Sequence, residues 1–565
     1  MTTLDNDEQF YRDTESIAFP KLDDHQLAML EPLGQRRLVR QGDTIYRAGQ
    51  RNMGLTVVLR GEVEVYESHD GKEQILATCG PRDFTGDVAM LMGTAALASS
   101  RGKAEESEIL DVPSDRLRQA LAELPGVSEP IVRAFIMRRQ RLRRDKEFAG
   151  WRIVSLPASR EGLELDDFLD KNHMPHRLID SESEDGRALC DRLHLASRDL
   201  PALITANGTP LRRPSLREVA REAGLLRSHV RGDETEILCD LAIVGAGPAG
   251  LASAVYAASE GLRTVVLESY APGGQAGSSS LIENFFGFPT GISGGDLTYG
   301  AQLQAFRFGA EFSTPSRALT LVYTGGEYRA SLLAEGCNAT LRAKCVIIAT
   351  GADYHRLDAE GRENFERAGL YYAATAREGK LCLGSTVVVA GAGNSAGQAA
   401  MFLSEGAEKV VLVVRGESLS KSMSSYLSRR VESKQNIEIL TRTEIRKMLG
   451  GKTIEAVELE NTQTGERRTV QTRAVFSMIG AVPCTSWLPP EILCDERGFI
   501  KTGHAIAGAP AWTREDRPPG PLETSLPGIF AAGDVRSGSV KRCAAAVGEG
   551  GTAVEGVHDV LKTYA

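Results

Sequence analysis

The residues best placed to do chemistry lie between Asp240 and Glu268, in DLAIVGAGPAGLASAVYAASEGLRTVVLE. Gly245, Gly247 and Gly250 stand in a G-x-G-x-x-G spacing between an apolar strand and an Ala-rich helix that opens at Pro248 and Ala249. The first glycine makes a tight turn, the second lets a pyrophosphate reach the backbone, and the third lets helix and strand pack closely. The phosphates then face a helix N-terminus. Glu268 closes the next apolar strand, where a carboxylate accepts hydrogen bonds from a ribose. A second unit, STVVVAGAGNSAGQAAMFLSEGAEKVVLVVR, repeats the pattern with Gly391, Gly393, Asn394, Ser395 and Ala396. The position equivalent to Glu268 is Arg415, which removes the partner of an NAD ribose and suits a 2'-phosphate.

Those two units occupy the later half of a 565-residue chain, which is too long for one core. A formal charge of -9 offers no broad basic surface, so nucleic acid is not an expected partner. The opening MTTLDNDEQFYRDTES is polar and acidic, unlike a signal peptide, and no uncharged apolar run has membrane length. The expectation is a cytoplasmic protein with no membrane contact. Nine cysteines are scattered without a Cys-x-x-Cys pair, which excludes a zinc knuckle and a vicinal dithiol.

From Leu38 to about Leu110, short alternating strands are separated by Gly turns, one of them at His69-Asp70-Gly71. Helices are expected at Ser114 to Glu123 and Ser128 to about Phe148. With Gly86-Asp87 in FTGDVAML, residues 1–148 resemble a cyclic-nucleotide-binding domain, a β-roll with C-terminal helices. The resemblance implies an acid for the ribose and, about ten residues on, an arginine for the cyclic phosphate. Here Asp87 stands for the usual Glu, the arginine segment reads GTAALASS, and Arg101 comes late. The departures argue against cyclic nucleotide binding and for a docking or dimerisation module. The basic run Arg138 to Lys146 reads as a helix with a charged outer face, or a solvated linker.

Residues 149–224 give a β-α-β-α-β-β-α order with Leu200-Pro201 before the third strand, and resemble the thioredoxin and glutaredoxin fold. The loop that would hold the dithiol is LPASREG, with no cysteine, so thiol exchange in the family's manner is excluded. Residues 225–236 read as a linker.

Residues 237–565 resemble thioredoxin reductase through further motifs. PGGQAGSSSLIENFFGFPTGISGGDL places Gly273, Gly274, Gln275 and Asn284 where the family lines the isoalloxazine and ribityl region, and VIIATGA turns at Thr350 and Gly351. In GIFAAGDVRSGSVKRCAAAVGEGG the resemblance puts Gly533 and Asp534 on the ribityl chain. It puts the N–H groups of Arg542, Cys543 and Ala544 at the flavin's pyrimidine edge. It implies two interleaved Rossmann-like domains, FAD on 237–352 and 486–565 and NAD(P) on 353–485, FAD with NADPH or NADH as cofactors, and a homodimer. The whole is an α/β multidomain chain. Where thioredoxin reductases carry Cys-Ala-Thr-Cys, this sequence reads Ala373-Ala374-Thr375-Ala376. Cys382 reads as a packing cysteine opening an apolar strand. The tail Thr502 to Gly528 reads as a Pro-rich surface loop whose Trp512 covers either the flavin or a dimer partner.

The expected function is an FAD-dependent oxidoreductase that passes electrons from NAD(P)H to an external acceptor: a protein disulfide, ferredoxin, a quinone or oxygen. No side chain need act as catalyst, because the hydride chemistry belongs to the cofactors. The rival is a non-enzymatic flavin-based redox or ligand sensor.

Overall fold

The computed structural model describes residues 3–563 except 70–71, 146–147, 149, 158, 227–235, 280, 336–338, 367–368, 373, 375, 452, 511 and 513–516. The chain divides into two compact units, one of 1–244, 253–272 and 300–346, the other of 245–252, 273–299 and 347–565. No helix among the described residues is long and apolar enough to cross a membrane.

After helices Thr3–Ala18 and Asp24–Leu30, the first unit forms two antiparallel sheets. One runs in the order Gln35–Arg40, Glu106–Val112, Leu55–Arg60, and the other Thr44–Tyr46, Ser99–Gly102, Val63–His69, Lys72–Cys79. The turn expected at Asp70 and Gly71 lies outside the described residues. Helices Ser114–Glu123 and Pro125–Arg144 follow. The second starts earlier than the expected Ser128, because Pro125 has its backbone angle pre-set for a first helical turn. Phe135 on this helix meets Phe84 edge-on, with ring centroids 6.1 Å apart.

The basic run is helical as far as Arg144, and Arg143 and Arg144 lie on its exposed face, but two of its arginines do not. Arg139 is 2% exposed, and its Nε and Nη2 both donate to Asp87 Oδ2, at 2.9 and 2.5 Å. Arg138 is 9% exposed and donates to the carbonyls of Ala18 and Gly86. A planar guanidinium on a long apolar stem can satisfy fixed acceptors deep in a fold, which an ammonium does poorly.

A four-stranded sheet comes next, in the order Pro210–Arg212, Ala202–Ile204, Trp151–Ser155, His176–Asp180, with only the last pair parallel. Its three helices start where serines cap them. Ser159 accepts from Gly162 N–H, Ser183 from Gly186, and Ser215 from Glu218, whose side chain returns a bond to the Ser215 N–H. The Leu200–Pro201 peptide is cis. Leu225, expected in a linker, is buried and its carbonyl accepts from Thr314 N–H at 3.2 Å, while 227–235 lie outside the described residues.

The last part of this unit is a mixed sheet ordered Glu311–Ser313, Thr264–Leu267, Glu236–Val244, Thr340–Ile348, Ala330–Ala334, Ala318–Tyr323, parallel at its first strands and antiparallel at its last. Leu241, Ala242 and Ile243 are fully buried, as a strand covered on both faces requires. The four-stranded block is fastened to this sheet. Phe168 meets Tyr270 edge-on at 5.5 Å, the Tyr270 hydroxyl donates to Asp167 at 2.7 Å, and Arg217 reaches the Glu335 carbonyl at 2.7 Å.

The second unit holds a parallel sheet ordered Leu370–Tyr371, Ala474–Ser477, Thr386–Ala390, Lys409–Val414, Ile437–Thr441, and an antiparallel sheet Thr443–Gly450, Ile454–Asn461, Arg467–Gln471. Strand alternation splits its core in two: Val387, Val389, Val410 and Leu412 face one cluster, and Val388, Val411 and Val413 the other. Trp512 is buried on Ile506 and Ala509, and its indole N–H donates to the Thr524 carbonyl at 3.0 Å. It therefore serves the packing of this unit rather than an exposed cover.

Because Arg139 and Asp87 are a buried pair, losing one partner leaves an uncompensated charge. Arg139→Met is expected to cost about 3–5 kcal/mol in urea denaturation followed by circular dichroism. Adding Asp87→Leu is expected to recover most of that loss.

Candidate active site

The first glycine turn lies in the second unit. Gly245 has φ +100°, and a Cβ there would stand 2.4 Å from the Ala349 carbonyl oxygen. A Cβ on Gly250 would stand 1.9 Å from the Gly245 oxygen, so neither position admits another residue. Gly247 differs: its nearest neighbour is Gly274 Cα at 3.9 Å, and its backbone faces open space. A surface of bare backbone at the start of helix Pro248–Ser259 is the cradle a pyrophosphate needs. Ala249, the next residue of the helix, is buried.

Two further turns close on this one. Gly273 N–H donates to the Ala246 carbonyl at 2.7 Å, and Gly274, at φ +54°, would place a Cβ 3.0 Å from Gly247 Cα. The Gln275 amide donates to the Ala352 carbonyl. Thr350 Oγ1 donates to the Cys484 carbonyl at 2.9 Å and the Gly351 carbonyl accepts from Cys484 N–H at 3.1 Å, which pins the turn after the buried strand. Asn284 is exposed and makes no hydrogen bond to the described residues.

The C-terminal motif reaches the same place. A Cβ on Gly533 would stand 2.9 Å from Ala249 Cβ, and the Ala532 N–H donates to the Ile348 carbonyl at 3.0 Å. Glu549, which sequence reasoning did not single out, holds the turn by accepting from Gly533 N–H at 2.7 Å and from Arg536 at 2.5 Å. Burial holds the Asp534 carboxyl above its ordinary range, Lys541 pulls it down, and Glu549 adds to the rise. Helix Cys543–Lys562 begins after Arg542, with Arg542 and Ala544 exposed and Cys543 half-buried. Burial, aided by Asp534, pushes the Cys543 thiol up to about 11.

Glu268 belongs to the other unit, at the end of strand Thr264–Leu267, and is 8% exposed. Its Oε1 accepts from Tyr270 N–H at 2.9 Å and from the Ser269 hydroxyl at 3.2 Å.

The second glycine turn repeats the first. Gly391 sits at φ +142°, with a Cβ position 2.3 Å from the Met478 carbonyl oxygen, while Gly393 has nothing within 4 Å. Ala396 is fully buried. Asn394 Oδ1 accepts from Ser424 N–H at 2.8 Å, and the Ser422 hydroxyl donates to the Ala392 carbonyl at 2.9 Å. Ser422 and Ser424 carry no motif, so their place beside the turn was not legible. Ser395 is exposed. Arg415 is exposed after strand Lys409–Val414 and has no ion-pair partner among the described residues.

Ala373 and Thr375 lie outside the described residues, and Ala376 opens helix Ala376–Leu381. Cys382 does not open a strand. It sits in the turn after that helix, 1% exposed in the core with Val387 and Leu403, and burial with help from Glu378 pushes its thiol up to about 11. An inert packing role follows.

In the front block Asp87 is already engaged, Oδ2 by Arg139 and Oδ1 by the Ala89 N–H that it caps at the start of helix Val88–Met92. Thr94, Ala95, Ala96 and Leu97 are buried, and Arg101 pairs with Glu64 at 2.6 Å and Glu73 at 2.8 Å over the Tyr66 ring.

Residues 239–550 match the family profile described as pyridine nucleotide-disulphide oxidoreductase, and residues 36–123 match that of the cyclic nucleotide-binding domain. A thioredoxin reductase of Listeria innocua is 32% identical over 319 residues, covering 56% of this chain and 92% of the relative. One of Bacillus subtilis is 32% identical over 329 residues, covering 58% and 96%. The crystal structure of T. acidophilum thioredoxin reductase superposes with a TM-score of 0.51 at 28% identity, covering 59% of this chain and all of that one. The chain belongs to the pyridine nucleotide-disulphide oxidoreductase family, as an FAD-dependent oxidoreductase using a nicotinamide nucleotide, with a cyclic nucleotide-binding domain in front.

Proposed function

We propose that this chain oxidises NADPH by way of FAD and delivers the electrons to an acceptor outside itself. The observation that carries the reading is Ala373-Ala374-Thr375-Ala376, where a thioredoxin reductase resemblance asks for two thiols, together with the lack of any Cys-x-x-Cys in the chain. With no internal disulfide to reduce, the acceptor is a partner's disulfide, ferredoxin, a quinone or oxygen. FAD would supply the two-electron relay between donor and acceptor.

The residues have separate tasks in this reading. The bare backbone at Gly247 takes the pyrophosphate, Glu268 the adenosine ribose, Asp534 the ribityl chain, and the first N–H groups of helix Cys543–Lys562 the pyrimidine edge. Gly273, Gly274, Gln275 and Asn284 line the flavin, with the Thr350–Gly351 turn behind it. Gly393 takes the nicotinamide nucleotide's pyrophosphate, and the unpaired guanidinium of Arg415 its 2'-phosphate. The front β-roll and the thioredoxin-like block, whose dithiol loop holds no cysteine, complete a cytoplasmic homodimer. A sensor reading has one observation in its favour: Asp87 is taken up by Arg139 just where the resemblance asks for a ligand-binding acid.

Anaerobic mixing separates the two. NADPH is expected to bleach the flavin band near ~450 nm at catalytic rates, and more readily than NADH; no bleaching by either donor would leave only the sensor. Arg415→Ala is expected to weaken NADPH binding about tenfold, the loss of one charge-assisted contact, with NADH unchanged in the same stopped-flow titration.

The raised Asp534 carboxyl makes a further prediction. Its ionised form is disfavoured by burial, so FAD-free protein gains stability as pH falls from neutral through the raised value toward the ordinary carboxylate range. Asp534→Asn is expected to abolish that gain in thermal melts of the FAD-free protein, and to loosen FAD about tenfold by fluorescence titration.

A further inference from the structure

The front block holds a cavity of about 240 Å³, partly open to solvent. Most of its wall is apolar, including Met53, Val65, Leu76, Phe84, Leu97 and Leu142. Its polar wall includes Arg138, Thr85 and Tyr46, beside Gln74, Asp87, Arg141 and Asp145. Arg138 is 9% exposed and lies over the rings of Phe19 and Phe84, at 5.1 and 4.6 Å. Its Nε and Nη1 donate to the Ala18 and Gly86 carbonyls at 2.7 and 2.8 Å, and Nη2 has no partner among the described residues. Thr85 is 1% exposed and its Oγ1 is buried without a hydrogen bond. The Tyr46 hydroxyl neighbours it without reaching hydrogen-bond geometry, and Tyr46 is itself buried.

The other charges in the wall are engaged. Asp87 is held by Arg139, Arg141 donates to Glu15 at 2.6 Å, and Asp145 at the helix end accepts from Phe148 N–H at 3.3 Å. Arg138 is thus the lining cation that no carboxylate pairs with among the described residues, and a buried guanidinium without a counter-charge is unfavourable unless an anion completes it. One cation calls for one negative charge. A planar carboxylate matches a guanidinium N–H while its second oxygen accepts from a hydroxyl such as that of Thr85. A cavity of about 150 Å³ holds benzene, so this one has room for about ten non-hydrogen atoms.

We propose that the cavity binds a small apolar monocarboxylate, its carboxylate on Arg138, Thr85 and Tyr46 and its body against Met53, Leu76 and Leu97. Cyclic nucleotides are poor candidates because Asp87 is occupied and Ala95, Ala96 and Leu97 bury apolar groups where the phosphate arginine would stand. The proposal is independent of the flavin reading.

Calorimetry on the full chain with octanoate, which has ten non-hydrogen atoms, tests it. Octanoate is expected to bind one per chain with a Kd of about 1 mM or tighter. Octan-1-ol should bind at least tenfold more weakly, and octylamine not at all. Arg138→Met is expected to lose at least tenfold in octanoate affinity. Because Arg138 also ties two loops, Leu76→Trp provides the second variant: it fills the apolar end without touching Arg138 and should abolish binding with the thermal melt unchanged. No octanoate binding, octan-1-ol binding equally well, unaltered affinity in both variants, or displacement of octanoate by micromolar cAMP would each overturn the proposal.

Discussion

A pyrophosphate can lie against a peptide backbone only where no Cβ stands in the way, and the later half of the chain is organised around two places that meet this condition. Gly247 and Gly393 both face open space, whereas Gly245, Gly250 and Gly391 are pressed against carbonyl oxygens at distances no side chain tolerates. The contrast separates the glycines that receive a ligand from those that shape the turn. It also explains why other turns crowd in: Gly274 and Gly533 must be glycines, or nearly so, to approach Gly247 and Ala249.

Burial of charge organises the front of the chain in a comparable way. Asp87 sits where a ligand acid would be expected, but Arg139 arrives from a helix 52 residues later and claims it. The same helix brings Arg138 beside it, with carbonyls for partners and no carboxylate. One arginine thereby removes a recognition group while its neighbour supplies another. The site is changed in kind rather than simply lost.

The difference between what could and could not be read from residues follows from range. The glycine turns depend on neighbours within a few residues, so G-x-G-x-x-G carries them. Arg138 and Arg139 read as a solvated face because charge on a helix usually is one, and their acceptors lie far away in the chain. Cys382 read as the start of a strand, since the apolar run after it masks the turn that ends helix Ala376–Leu381. Trp512 gave no direction because Thr524, which accepts its N–H, is set by the fold and not by spacing. Ser422 and Glu549 were silent for the same reason.

Within the first unit a line of contacts runs from the front block to Glu268. Arg139, next to the cavity cation, donates to the His173 carbonyl at 3.3 Å, and the neighbouring Asn172 amide donates to the Tyr270 carbonyl at 3.4 Å. Tyr270 N–H in turn donates to the Glu268 carboxylate. Contiguity of this kind is a route and not yet a coupling, which is a free energy that must be measured. What the route does fix is symmetry. If occupation of the front cavity changes the affinity for a dinucleotide whose ribose sits on Glu268, then that dinucleotide must change the affinity of the cavity by the same factor. A front block with no dithiol and with its ribose acid already engaged would then still take part in the chemistry, through the position of one carboxylate.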